Sequence, residues 1–365
     1  MEVLTITLNP FNPQYPISPD LFYGRGKIID RFKYNVEQSI EGSLTNMALV
    51  GEFGMGKTSL LKKLHSLDIC DDVSKVYITL KDTYANSFED VIGYIYTSLG
   101  NEIKEFFKSL KVKITVPYVE IESDEKFSKD NFRKYMVKLW TEANKKSPLI
   151  IVFIDDFHLA YKYFVDIRNC FQELHDNGCK YMLVVTMIPE PLKLGKREDP
   201  YKRFFDLIEV KEFTKIETTA MIQHIIKKTK LNISFSAKVL DDIYSKTRGH
   251  PYYTFLMINE ILRYKNSGCV TTQHYKRIFP KTMDNVKLTF DAYYSSLSYG
   301  EEDALKHIID SGKEVFNPGL SGSSSPTSTF KSLEDKDVLV KIGYGQYQFK
   351  HPFIRYYFMK KYSEK

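Results

Sequence analysis

The sequence predicts a doubly wound α/β domain with a mostly parallel sheet over residues 1–213, a small helical domain over 214–285 and a C-terminal winged helix over 286–365. Three observations carry this. A glycine loop lies between an apolar run and a leucine-rich one. A second apolar run ends in two aspartates. After Phe213 the hydrophobic spacing turns helical and later gives way to helices followed by a hairpin.

Met47-Ala48-Leu49-Val50 reads as a short buried strand, and Leu60, Leu61, Leu64 and Leu67 recur at helical spacing. Between them stands GEFGMGKTS: Gly51, Glu52, Phe53, Gly54, Met55, Gly56, Lys57, Thr58 and Ser59. A glycine-rich turn can be only a turn, but strand, loop and helix are the setting in which GxxxxGK[ST] acts as a phosphate cradle. Glycines let consecutive N–H groups point inward at phosphate oxygens, at the positive end of the following helix. Lys57 supplies a point charge for the β and γ phosphates, and Thr58 a hydroxyl for Mg²⁺.

Leu149–Ile154 is an uninterrupted apolar run, as expected of a central strand covered on both faces, and Asp155-Asp156 follow it. Carboxylates do not end a buried strand without a reason. Asp155 is placed to hold Mg²⁺ through water. Asp156 either orients or deprotonates the attacking water or only caps Phe157-His158-Leu159, and the sequence leaves both open. His158 reads as a packing or polar-contact residue.

Further strands are expected over Lys75–Leu80 and Tyr181–Val185, with an edge strand over Leu207–Val210. Phe164, Ile167, Phe171 and Leu174 mark a helix that stops at Gly178. Around Pro117 the alternation of Lys111–Val116 and Tyr118–Ile121 suggests an inserted hairpin. Thr214 to Glu217 has capping-box spacing, Ser236 can cap a second helix, and Pro251 can start a third, giving an all-helical domain. Near the C-terminus, Ala304, Leu305, Ile308 and Ile309 mark a helix, and Ser325-Pro326 can start another, entered through the Ser/Gly-rich stretch Gly319–Ser328. Val338–Val340 and Tyr347–Phe349 flank Gly343-Tyr344-Gly345 as a wing.

The chain has 365 residues, 4 cysteines and a net charge of +6. No CxxC pair or zinc spacing occurs, so the cysteines read as reduced thiols. Nothing reads as a signal peptide or membrane span, so a cytoplasmic protein with no membrane partner is expected. Lys and Arg against Asp and Glu number 12 against 5 over residues 214–285, against near balance elsewhere. This is either a solvated face or the mark of an acidic partner such as nucleic acid.

Walker A and B motifs, a helical lid and a terminal winged helix resemble the AAA+ initiator-like and STAND ATPases, most closely the archaeal P-loop ATPase family. The resemblance implies an AAA+-like fold over nearly the full length, with ATP/ADP and Mg²⁺ as cofactors. NPFNPQYPISPDLFYGRGKII is similar to the family's N-terminal box, which implies that Phe22, Gly24 and Arg25 pack by the adenine. Val184-Val185-Thr186 resembles a sensor-1 strand end, where Thr186 sees the γ-phosphate or is only a surface threonine. Arg203 stands where such proteins often carry an arginine that reaches a nucleotide in cis or from a neighbour. Gly249-His250-Pro251 resembles the GxP motif of STAND proteins, in which Pro251 packs on the adenine, though a plain helix stop and start also accounts for it.

Two functional readings follow. One is a slow Mg²⁺-dependent ATPase acting as a STAND-like conformational switch, with protein partners or self-association as its output. The other is an initiator-like or transposition-type DNA-binding ATPase. The nominal reading helix, Pro326–Lys336, is nearly neutral, with Lys331 and Lys336 against Glu334 and Asp335. Any DNA contact is therefore expected to involve the basic lid. A metabolic kinase is disfavoured because lid and wing add no evident small-molecule pocket.

Overall fold

The computed structural model describes residues 9–70, 72–109, 128–189, 200–265, 267–317 and 327–363. The expected hairpin around Pro117, the helix start at Ser325-Pro326 and most of the Ser/Gly-rich stretch lie outside these residues. By contacts the chain divides into two units: Pro16–Lys211, and the stretch through Tyr15 together with Glu212 onward.

In the first unit α1 (Gly26–Ile40) precedes β1 (Asn46–Val50) and α2 (Lys57–His65). Then come β2 (Ser74–Thr79), α3 (Phe88–Ser109), α4 (Lys129–Ala143), β3 (Ile150–Asp155), α5 (Phe164–Asp176), β4 (Tyr181–Met187), the short α6 (Pro200–Phe204) and β5 (Phe205–Glu209). The five strands form one parallel sheet in the order β2-β3-β4-β1-β5. β5 is an edge strand as expected, and β2 is the other edge. Alternate side chains leave the sheet on opposite faces. Ala48, Val50, Val152, Ile154, Leu183 and Val185 join one core with residues of α3, α4 and α5. Met47, Leu49, Ile151, Phe153 and Val184 join the other with Phe32, Val36, Leu60, Leu61 and Leu64 of α1 and α2. Burial on both faces is why β1, β3 and β4 are apolar without alternation.

The second unit contains α7 (Lys215–Thr229), β6 (Ile233–Phe235), α8 (Ala237–Thr247), α9 (Pro251–Tyr264), β7 (Gly268–Val270) and α10 (Thr272–Tyr293). Thr214 caps α7 in a complete capping box with Glu217, and Ser236 caps α8. One expectation is corrected: the lid is not all-helical, because β6 and β7 pair in parallel. Strands of three residues are too short for a period to show in the sequence. α10 also runs without a break through the 285/286 boundary, carrying Pro280 inside it.

Gly249 has φ 77°, and a Cβ there would stand 1.8 Å from the Phe213 carbonyl oxygen. Only glycine fits the turn that joins α8 to α9. Thr247, just before it, is bonded through its carbonyl to His351 Nε2 at 2.7 Å. Burial pushes the His351 imidazole down to about 4, so near neutrality it is an uncharged donor to that carbonyl. Tyr253 stacks on His351 and on Phe353.

The C-terminal part has α11 (Tyr299–Asp310), α12 (Thr327–Asp335), the antiparallel pair β8 (Leu339–Gly343) and β9 (Gln346–Phe349), and α13 (Pro352–Ser363). Phe316 bridges to Tyr347 and extends the pair, completing a winged helix. Tyr344 at the wing tip is fully exposed.

Glu301 of α11 is buried, yet it accepts hydrogen bonds from Ser332 at 2.7 Å and from Lys336 at 2.8 Å. Burial alone would push its carboxyl up, but the bonds from Lys336, Ser332 and Ser298 outweigh it and hold it at about 2. A carboxyl depressed in the folded state stabilises fully above its ordinary value of about 4.3, and loses that contribution as pH falls toward the folded value. Lys336→Met should therefore cost roughly 3 kcal/mol at neutral pH, because it strands a buried carboxylate. The deficit should shrink as pH falls from about 4.3 toward the folded value of about 2, because there the wild type loses the contribution that the variant never had, as read from thermal midpoints between pH 3 and 7. A midpoint and acid limb like those of the wild type would show that the pair is dispensable.

Candidate nucleotide site

β1 ends at Val50 and the chain turns at once into the glycine loop. A Cβ on Gly51 would lie 2.8 Å from the Val210 carbonyl oxygen, so the loop passes the end of β5 without room for a side chain. Gly54 and Gly56 hold φ values of 78° and 82°, and Gly56 occupies the N-cap of α2 with no side-chain cap. The first N–H groups of α2 are thus left for a ligand rather than a cap. Lys57 Nζ donates to the carbonyls of Gly51 at 2.7 Å and Glu52 at 2.8 Å, which places the ammonium inside the curl of the loop. Met55 is buried against the core, whereas Phe53 is exposed.

Asp155, at the end of β3, is 3% exposed. Its Oδ1 accepts from Thr58 Oγ1 at 3.2 Å and from Thr186 Oγ1 at 2.6 Å, and its Oδ2 accepts from Tyr77 OH at 3.1 Å. Three hydroxyls, from α2, β4 and β2, thus hold one carboxylate. The donors are all oxygens, carboxylate and hydroxyl, the set that suits a hard cation such as Mg²⁺ shared with nucleotide phosphates. Thr58 and Asp155 are the residues that would hold it.

Asp156 follows with φ 57° and ψ 36°, the left-handed region that aspartate tolerates better than most residues. Its N–H donates to Thr186 Oγ1 at 2.8 Å. Its side chain makes no cap to the 3₁₀ turn Phe157–Tyr163, so the plain capping role left open by the sequence is not the one adopted. Burial pushes its carboxyl up, and the neighbouring Asp155 adds to this, while His158 and Lys57 oppose it. His158 therefore lies within electrostatic reach of Asp156, which helical spacing alone does not reveal.

Thr186 spends its hydroxyl hydrogen on Asp155 and accepts the Asp156 N–H. It is no surface threonine, at 1% exposed, and it sets the geometry of both aspartates. Arg25 has φ 61° at the N-cap of α1 and donates from Nη2 to the Lys211 carbonyl, just past β5. Phe22 packs on the core cluster that contains Met55 and Val210. The N-terminal box thus lies beside the glycine loop. Ser59 Oγ accepts the Ile17 N–H at 3.3 Å, adding a second tie between that segment and α2. Pro251 is the first residue of α9 in the other unit, where it starts the helix after the Gly249 turn.

Arg203 stands at the other end of the sheet. It lies in α6, just before Phe205, which pairs with Asn46 at the start of β1. The glycine loop leaves the opposite end of this five-residue strand, about 17 Å away at roughly 3.4 Å per residue. An arginine side chain does not span that distance.

Tyr77 was missed by sequence reading. Within Lys75–Leu80 it looks like one more apolar strand residue, and nothing local signals that its hydroxyl meets a carboxylate 78 positions on.

Sheet order, glycine loop and carboxylate network together define a P-loop ATPase fold of the AAA+ type, with a C-terminal winged helix. The fold is similar to that of the Aeropyrum pernix ORC2 protein, solved in ADPNP–ADP complexes, with a TM-score of 0.61 and 11% identity over 98% of each chain. It is also similar to CDC6P from Pyrobaculum aerophilum, with a TM-score of 0.52 and 16% identity over 97% of each chain. No protein-family model matches the chain, and no curated protein sequence matches it significantly. Among the described residues no helix is long and apolar enough to cross a membrane.

Proposed function

We propose that the chain is a Mg²⁺-dependent ATPase of the initiator-like type, in which nucleotide state controls the lid and winged helix and DNA is the acidic partner. The observation that carries the ATPase reading is the shared Asp155 carboxylate, held by Thr58 of the phosphate loop and by Thr186. Fold likeness to ORC2 and CDC6P over almost the whole of both chains favours the initiator-like branch over the STAND-like switch.

The backbone N–H groups of the loop and Lys57 bind the β and γ phosphates. Mg²⁺, when bound, neutralises phosphate charge and orients the γ-phosphoryl group. Asp156, held by the Thr186 hydroxyl, takes the proton of the water that attacks the γ-phosphorus. Arg203 can act only on a nucleotide held by a second copy, so full turnover by this route requires self-association.

DNA contact follows the charge. Lys227, Lys228 and Lys230, at the end of α7, are exposed, as are Lys276 and Arg277 on α10. Lys281 is exposed as well and lies over the Tyr264 ring. On the nominal reading helix Lys336 is taken up by Glu301 and the Ser296 carbonyl, which leaves Lys331 as that helix's exposed cation. Changing Lys227, Lys228 and Lys230 to Glu should abolish most DNA binding and lower the slope of log K against log salt by roughly 3. Lys331→Glu should do much less. Fluorescence anisotropy across salt decides between them, together with ATP hydrolysis measured with Mg²⁺ and with EDTA. If hydrolysis is present but no DNA binds even at low salt, the STAND-like switch with a protein partner replaces this reading.

A further inference from the structure

We propose that Tyr77 is a positioning residue for the metal-binding carboxylate: its hydroxyl fixes the rotation of Asp155 so that Oδ1 faces Thr58. This rests on the reading of Asp155 and Thr58 as the cation-holding pair. Oδ1 is already shared by the hydroxyls of Thr58 and Thr186, both of which approach from the phosphate-loop side of β3. Those two bonds meet at one atom, so rotation about Cβ–Cγ is resisted from Oδ1 alone and neither bond ties Oδ2. Among the described residues the Tyr77 bond, at 3.1 Å, is the one made to Oδ2. A planar group tied at both oxygens from neighbouring strands on either side, β2 and β4, resists that rotation more than one tied at Oδ1 alone.

The phenol ring is itself held. It meets the His65 ring edge-on at 5.6 Å, and His65 in turn meets Phe153 at 5.3 Å, so the end of α2 braces the ring that braces the carboxylate. In register Tyr77 lies opposite Phe153, two residues before Asp155, which lets a tyrosine reach forward to the strand end. A residue of ordinary length at this position would stop short. Burial first, and then the nearby Asp155, push the Tyr77 hydroxyl up, so it remains protonated and donating throughout the neutral range. Groups that orient a metal ligand from outside the coordination sphere typically change metal affinity by 10–100-fold when removed.

Tyr77→Phe removes the hydroxyl and keeps the ring against His65. Calorimetric titration with adenylyl imidodiphosphate in EDTA, and then at graded Mg²⁺, reads the effect without turnover. The expected result is nucleotide affinity in EDTA like that of the wild type, while the Mg²⁺ concentration giving half of the affinity gain rises on the order of tenfold. The thermal midpoint without nucleotide should stay close to the wild-type value. Asp155→Asn is the reference. If it and the wild type respond to Mg²⁺ alike, the cation reading fails and the proposal with it. If Asp155→Asn loses the response while Tyr77→Phe keeps the wild-type one, Tyr77 alone is overturned. An equal loss of affinity in EDTA and in Mg²⁺ for Tyr77→Phe would also overturn it, because the hydroxyl would then support the loop rather than the cation.

Discussion

Asp156→Asn is expected to lower ATP turnover by about 10²–10⁴-fold while leaving nucleotide affinity near that of the wild type. Asparagine suits the test because it tolerates the left-handed backbone that Asp156 adopts. The bond from its N–H to Thr186 does not involve the side chain. What the variant loses is the carboxylate that accepts a proton. A side chain that caps nothing has little else to lose, so the thermal midpoint should not move. Single-turnover hydrolysis beside a binding titration separates the two effects. Equal losses of affinity and turnover would mean that Asp156 shapes the site rather than activating water.

Lys57→Ala should produce the largest loss of binding, on the order of 1.5–3 kcal/mol, or roughly 10–150-fold in Kd at about 1.4 kcal/mol per factor of ten. The ammonium lies within the loop, bonded to the carbonyls of Gly51 and Glu52. Exchanging two carbonyls for phosphate oxygens gains a charge-assisted contact without moving the helix. The backbone N–H groups at the start of α2 remain in the variant, which is why a residual affinity is expected. A calorimetric titration with ATP and Mg²⁺ that finds unchanged affinity would refute the phosphate-cradle assignment.

Much of the site was legible because its requirements are local. Gly51 must lack a side chain where the loop passes β5, and Gly54 and Gly56 must turn with positive φ, so the chain declares the loop in its own residue types. Apolar runs covered on both faces declared β1, β3 and β4 in the same way. The capping box from Thr214 to Glu217 is a four-residue pattern legible in the same way for α7, and the same geometry stands at Ser298 before α11. Where a role depends on a distant partner, the same reading failed. Lys336 counts among the cations of the nominal reading helix, and nothing local shows that Glu301, 35 positions earlier, takes it up. For Arg203 the resemblance left open a nucleotide in cis or from a neighbour, and only strand pairing shows that it lies at the end of the sheet away from the glycine loop.

The sequence by itself determined the phosphate loop, the two aspartates, the change from α/β to helical to winged-helix spacing, and the location of the excess positive charge. Each of these is written in neighbouring residues, whose backbone conformation or burial restricts what can stand there. Tertiary structure decided which side chains meet. Inserting β4 between β1 and β3 brings Thr186 between the phosphate loop and Asp155, and placing β2 on the far side of β3 brings Tyr77 to the same carboxylate. Strand order is set by how two apolar faces are covered at once, a property of the whole sheet that no single strand carries. The partners of Asp155, Thr186 and Tyr77 therefore could not be read before the sheet was assembled.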